Sequence, residues 1–242
     1  MDSNKKRFYL ILLFILLLFI ILGIVFIVPL FVSVSDEAAR ETPLPVTNPG
    51  WLAVDATDVR GNEIVNASSG EQVGLISPAQ STVELPPGVY HVSFGGTVWK
   101  NVQIREGETT VLKPGILSVN QASYRGHMVL DAETGKECGL ISNLAGSLSL
   151  VPGKYRVTFG GIYWDVEVLE GRKHTLNPGV VEVEGASYKG HPIRTQDGRE
   201  VGSVSNTGSS MPLPPGDYTI SVGGETISFS LQEGQRRTFI EK

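Results

Sequence analysis

Leu85-Pro86-Pro87-Gly88-Val89-Tyr90-His91-Val92-Ser93-Phe94-Gly95-Gly96 is the stretch from which the fold can be read. Tyr90, Val92 and Phe94 alternate with His91 and Ser93, so an extended chain here has one apolar and one polar face. That period of two belongs to a half-buried antiparallel strand, not to an amphipathic helix. Pro87 fixes φ and Gly88 tolerates φ > 0, so the pair predicts a hairpin turn leading out of a strand that ends near Leu85. Gly95-Gly96 predicts a second turn into a further strand.

The stretch recurs. Leu150-Val151-Pro152-Gly153-Lys154-Tyr155 leads to Gly160-Gly161, and Leu213-Pro214-Pro215-Gly216-Asp217-Tyr218 leads to Gly223-Gly224. Other landmarks keep the same register. Pro49-Gly50, Pro114-Gly115 and Pro178-Gly179 open the units, with 65 residues from Gly50 to Gly115 and 64 from Gly115 to Gly179. Gly61, Gly126 and Gly190 each follow eleven residues later, and Glu106-Gly107, Glu170-Gly171 and Glu233-Gly234 come near the ends. Matches this numerous at fixed spacing identify threefold internal duplication. Alternation and turn spacing predict six or seven short strands per unit. The expected fold class is an all-β ectodomain of three tandem small antiparallel β-sandwich domains, at residues 49–113, 114–177 and 178–242. An extra residue near Lys100-Asn101 in the first copy predicts a β-bulge. The joints at Leu112-Lys113-Pro114-Gly115 and Leu176-Asn177-Pro178-Gly179 leave little slack. Domains this small gain from packing end to end, so a stiff multidomain rod is expected.

At these residues the chain resembles bacterial extracytoplasmic β-sandwich repeat modules of the PEGA-like and carboxypeptidase-regulatory-like kind, which carry a Leu-x-Pro-Gly-x-Tyr-x-Val turn and strand. The Pro-Glu-Gly-Ala element itself is absent. The resemblance implies a non-enzymatic role outside the cytoplasm and brings no ligand with it.

An apolar run from Phe8 to Val32 precedes the repeats. As a helix it is about 37 Å long, enough to cross a hydrocarbon core of about 30 Å, and far longer than a cleavable signal's apolar core. Residues 8–34 are therefore expected to form a transmembrane helix in contact with lipid through residues 8–32. Residues 35–48 then serve as a linker stiffened by Pro43 and Pro45. Lys5, Lys6 and Arg7 lie within the short 1–7 segment, whereas acidic Asp36, Glu37 and Glu41 dominate behind the span. Positive flanks stay inside, so the N-terminus is expected in the cytoplasm of a bacterial inner membrane and the repeats in the periplasm.

The chain's 242 residues carry a formal net charge of −5 with no basic cluster beyond Lys5–Arg7, which argues against nucleic-acid binding. A single cysteine, Cys138, permits no intrachain disulfide and is expected to be buried and inert. No Gly-x-Ser-x-Gly elbow or phosphate-cradling loop is present, and the four histidines (His91, His127, His174, His191) lack metal-ligand spacing. The sequence thus predicts no enzyme, cofactor or metal, and argues against a small-molecule ligand. Trp99 and Trp164 occupy equivalent places where the third copy has Ile227, which reads as core packing.

The departures between copies are the candidate contact points. Tyr124-Arg125-Gly126-His127 and Tyr188-Lys189-Gly190-His191 replace Asp58-Val59-Arg60-Gly61-Asn62 of the first copy. They read as structural hairpin turns, with the Tyr packed and the basic residue exposed. As a second reading, Tyr124, Arg125, His127, Tyr188, Lys189 and His191 are partner-contact candidates, because exposed Tyr and Arg are favoured in interfaces. Trp51, at the start of the first repeat, faces either the membrane surface or the core. The functional expectation is a single-span accessory or scaffold subunit of a larger membrane complex, of respiratory or photosynthetic type, whose repeats contact neighbouring subunits. The alternative is an envelope module that binds peptidoglycan or another glycan.

Overall fold

The computed structural model describes residues 48–57, 61–208 and 210–241. The expected membrane segment, linker residues 35–47 and Asp58-Val59-Arg60 lie outside the described residues. Among the described residues every named element is a strand, and no helix is long and apolar enough to cross a membrane.

Seven strands recur three times. The first repeat holds β1 (Gly50–Val54), β2 (Asn62–Asn66), β3 (Gln72–Ile76), β4 (Thr82–Leu85), β5 (Gly88–Phe94), β6 (Thr97–Ile104) and β7 (Thr109–Leu112). The second holds β8 (Gly115–Val119), β9 (His127–Asp131), β10 (Glu137–Ile141), β11 (Ser147–Leu150), β12 (Gly153–Phe159), β13 (Ile162–Val168) and β14 (Lys173–Leu176). The third holds β15 (Gly179–Glu184), β16 (His191–Thr195), β17 (Glu200–Val204), β18 (Ser210–Leu213), β19 (Gly216–Val222), β20 (Glu225–Leu231) and β21 (Arg236–Ile240). Each repeat pairs a three-stranded sheet with a four-stranded one: β4-β1-β7 with β3-β2-β5-β6, β11-β8-β14 with β10-β9-β12-β13, and β18-β15-β21 with β17-β16-β19-β20.

The alternation decides which side chains fill the space between the sheets. Tyr90, Val92 and Phe94, with Tyr155, Val157 and Phe159 and Tyr218, Ile220 and Val222, are buried, and the intervening residues are not. Each such Val, Ile or Phe stabilises the fold by roughly 1.5–3 kcal/mol relative to exposure. Trp99 tilts against Phe94 at 6.0 Å and Trp164 against Phe159 at 5.7 Å, and Ile227 packs on the core in their place. The tryptophans are thus core packing. Asn101, at φ 59°, marks a register shift between β5 and β6, the bulge expected near Lys100-Asn101.

Two expectations need correction. The Pro-Gly-x-Tyr stretch does not close a hairpin. β4 pairs with β1, while β5 pairs with β2 and β6, so the chain crosses from one sheet to the other. Gly88, Gly153 and Gly216 do not adopt positive φ. Instead the tyrosine fastens the crossing. Its hydroxyl donates four residues back, from Tyr90 to the Pro86 carbonyl (2.8 Å), Tyr155 to Val151 (2.5 Å) and Tyr218 to Pro214 (2.9 Å). A Cβ on Gly88 would already lie in contact with the Tyr90 ring, at 3.5 Å. The second correction concerns strand direction. β1–β7, β8–β14 and β15–β21 are parallel pairs inside otherwise antiparallel repeats. The crossings over the open edge bring the last strand back beside the first in the same direction.

The repeats meet through one recurring contact. The Gly-Gly tip of the β5–β6 hairpin lies on β10 of the second repeat, where Gly96 N–H donates to the Cys138 carbonyl at 2.9 Å. The tip between β12 and β13 lies likewise on β17, where Gly161 N–H donates to the Val201 carbonyl at 3.1 Å. Cys138 and Val201 are the bulged residues of their strands, skipped by the ladder, which leaves their carbonyls free to accept. A Cβ on Gly95 would overlap the Cys138 carbonyl oxygen, and one on Gly160 the Val201 oxygen. Glycine is therefore required at these two tips by close approach. Val151 adds apolar contact to the core of the first repeat, and the cores of the second and third form one continuous cluster.

Candidate interaction surface

The two Tyr-basic-Gly-His turns divide into a buried and an exposed half. His127 and His191 are buried, contrary to their candidacy as surface contacts. His127 Nδ1 lies 2.8 Å from the Thr158 carbonyl, and its Nε2 accepts from the Ser123 N–H at 3.3 Å. This fixes Nδ1 as the protonated nitrogen of a neutral ring. The ring packs on Phe159 at 4.2 Å. Burial pulls the His127 pKa below its ordinary value, and the hydrogen bond to Thr158 offsets only part of that. His191 meets the Ser221 carbonyl at 3.1 Å and the Glu241 carboxylate at 3.1 Å. In the first repeat Asn62 does the same work, its amide donating to the Ser93 carbonyl at 2.7 Å. All three are staples from the start of one strand to the end of its neighbour.

The tyrosines are the reverse of the packed residues expected. Tyr124 is 79% exposed and Tyr188 78%, and Arg125 and Lys189 are exposed beside them. The staple fastens the turn, and the turn holds the ring outward. Trp51 is half-buried beside Leu52, which points into the core, and pairs across β4 with Glu84, so it lies on the outer face of its sheet.

The second repeat extends its turn into an apolar face. The loop after β10 runs beside it, Asn143 N–H lying 3.4 Å from the Ser123 carbonyl, and carries Leu144 at 84% exposure. Across the outer face of the four-stranded sheet, Leu140 pairs with Met128, Met128 N–H donates to Thr158 Oγ1 at 2.8 Å, and Thr158 pairs with Tyr163. Leu140, Met128 and Tyr163 are all exposed. Their counterparts are Leu75, Glu63 and Val98 in the first repeat, and Ser203, Pro192 and Thr226 in the third. Period-two alternation places these residues on the solvent side, where the second repeat is apolar at all three positions, the first at two, Leu75 and Val98, and the third only at Pro192. That difference between copies is a signal the sequence carried at positions outside the turns.

Cys138 is buried under the first repeat's tip, and burial pushes its thiol pKa up to about 11, so the thiolate is scarce at neutral pH. Among the described residues no group of three or more His, Cys, Asp or Glu side chains could hold a metal ion. An open, polar cleft in the third repeat is lined by Gln196, Asp217, Ser230, Gln232, Gln235 and Arg237.

No protein-family model matches the chain, and no curated protein matches it. Among solved structures, the Bacillus anthracis TIE protein is similar over 81% of this chain at 21% identity and a TM-score of 0.23, and the chain spans 50% of that protein's length. The N-terminal four Ig domains of Dscam1 isoform 7.44 are similar over 80% of this chain and 78% of theirs, at 10% identity and a TM-score of 0.13.

Proposed function

We propose that the chain is a single-span, membrane-anchored scaffold subunit whose extracytoplasmic repeats hold neighbouring subunits of a larger membrane complex. The observation that carries this reading is the apolar outer face of the second repeat: Leu140, Met128 and Tyr163 in one row, with Tyr124, Arg125 and Leu144 beside it. Contiguous apolar surface rimmed by polar groups is the mark of a protein contact, and an exposed Tyr-Arg pair supplies anchors for one. The run from Phe8 to Val32, uncharged and polar only at the Tyr9 phenol, supports the anchor, and its basic flank supports the topology.

The test is affinity purification of the tagged full-length chain from membranes, with mass spectrometry of what accompanies it. The wild type should bring integral membrane subunits with it. The double variant Tyr124→Ser, Leu144→Asp should lose them while keeping its yield and unfolding midpoint. Migration of the wild type as a free monomer, or an unchanged partner set in the variant, would overturn the reading.

The third-repeat cleft favours a second reading, a glycan-binding envelope module. Its amide, carboxylate and guanidinium groups suit a polyhydroxylated chain. Phe229, the aromatic ring there, is buried and offers no stacking platform. Retention on purified sacculi that Arg237→Ala abolishes would support this reading, and no retention would remove it.

A further inference from the structure

The chain carries both halves of its internal joint a third time, unjoined and at opposite ends of the repeat array. The receiving half of a joint is a bulged strand residue whose carbonyl accepts from a Gly-Gly tip. Cys138 and Val201 fill that position, and each is 2% exposed beneath the tip of the preceding repeat. The first repeat has Val73 there, skipped by the β2–β3 ladder in the same way, and 41% exposed. Gly74 next to it faces Val83, as Gly139 faces Leu148 and Gly202 faces Met211, so the surrounding side chains repeat as well. The inserting half of a joint is the tip. Gly223-Gly224 in the third repeat is exposed, and a Cβ on either residue would meet nothing within 4 Å. Its first glycine keeps the φ of the docked tips, +57° against +57° and +58°, whereas Gly224 swings to +87° where Gly96 and Gly161 do not adopt positive φ.

We infer that the third-repeat tip of one copy docks on the Val73 bulge of a second copy, making between chains the joint already made twice within each chain. Gly224 N–H would donate to the Val73 carbonyl, and Val73 would pass from exposed to buried. The inference does not rest on the scaffold reading, since it uses neither the anchor nor the second repeat's apolar face. Tip and receiving strand are different surfaces, so the contact is heterologous and propagates unless geometry closes it.

One residue restrains it. The position after the glycines is Thr97 in the first tip, next to the Tyr155 hydroxyl, and buried Ile162 in the second. In the third tip it is Glu225, exposed. Docking brings this carboxylate toward the Tyr90–Pro86 corner and takes it out of water at a cost. The third joint is thus weaker than the internal two, and the association rises with the concentration of the chain.

The test uses full-length chain in detergent, in a Cys138→Val background that copies Val201. Chains bearing Val73→Cys are mixed with chains bearing Glu225→Cys and treated with a short bismaleimide. A covalent dimer from the mixture, and none from either variant alone, is the expected result. By sedimentation of the otherwise native chain, Glu225→Ile should tighten self-association by about tenfold, and Val73→Arg should abolish it. Absence of the mixed cross-link, or a Glu225→Ile chain that stays monomeric at the highest attainable concentration, overturns the inference. Val73 is already solvent-facing and Glu225 makes no core contact, so a folding defect does not stand in for either outcome.

Discussion

At the scale of single residues, equivalent positions solve the same problem with different chemistry, and the differences have measurable consequences. Asn62, His127 and His191 each bond the carbonyl at the end of a neighbouring strand, but an amide has no proton to gain in the neutral range and the His127 imidazole has. Burial holds the His127 pKa below its ordinary value. The unfolded chain therefore binds a proton there at a pH where the folded chain does not. The stability this site contributes is full above the unfolded value of about 6.5 and is lost as pH falls through the lower folded value. His127→Asn, the first repeat's solution, should flatten the loss of urea midpoint between about pH 7.5 and pH 5.5. Asp131, held low chiefly by the Thr134 N–H, acts in a more acidic window, below about pH 3.9, and does not mask the effect. A wild type and variant with identical pH profiles would refute this role. The tyrosine corner gives a second prediction. Tyr218→Phe leaves the Pro214 carbonyl without its donor in a buried setting and should cost about 1–2 kcal/mol in denaturant unfolding.

At the scale of elements, Gly95 and Gly223 form a matched pair. Both sit at φ +57° and open equivalent tips, so alanine carries the same backbone strain of about 1–2 kcal/mol at each. Only at Gly95 does the new methyl also strike the Cys138 carbonyl. Gly95→Ala should therefore destabilise more than Gly223→Ala and should speed alkylation of Cys138, which the intact joint covers. Equal alkylation rates in the two variants would mean that the tip does not cover the thiol. The strands themselves were legible in the sequence, because side-chain alternation is a local pattern and the space between the sheets rewards it. Which strand each one pairs with was not. Pro87-Gly88 reads as a turn because its dihedral preferences are local, but whether the chain returns beside its own strand or crosses to the other sheet depends on β1 and β2, tens of residues away. The Tyr-basic-Gly-His turns were found as departures from the repeat, yet their sidedness was inverted. A turn tetrapeptide does not say which of its residues faces the core, and the Thr158 and Ser221 carbonyls that capture the histidines belong to distant strands.

At the scale of the whole repeat array, stability follows from how the cores connect. Solenoid-like arrays sum the stability of each repeat with that of its interfaces, so perturbation spreads as far as the interfaces are strong. The second and third repeats share one continuous buried cluster, whereas the first has its own and reaches the second through Val151 and the glycine tip. Leu213, fully buried in the third repeat, is the place to perturb. Leu213→Ala removes three buried carbons and should cost about 2–5 kcal/mol, depending on how far the site collapses. Two fluorescent reporters then read the spread. Trp164 lies against the shared cluster and Trp99 against the first repeat's own. With Trp51 and the other tryptophan replaced by Phe in each case, Leu213→Ala should lower the urea midpoint seen by Trp164 almost as much as it destabilises the third repeat, and that seen by Trp99 markedly less. Equal shifts at both would mean that the glycine joint couples repeats as tightly as a shared core does. No shift at Trp164 would mean that the continuous cluster carries no cooperativity, and that each repeat stands on its own stability.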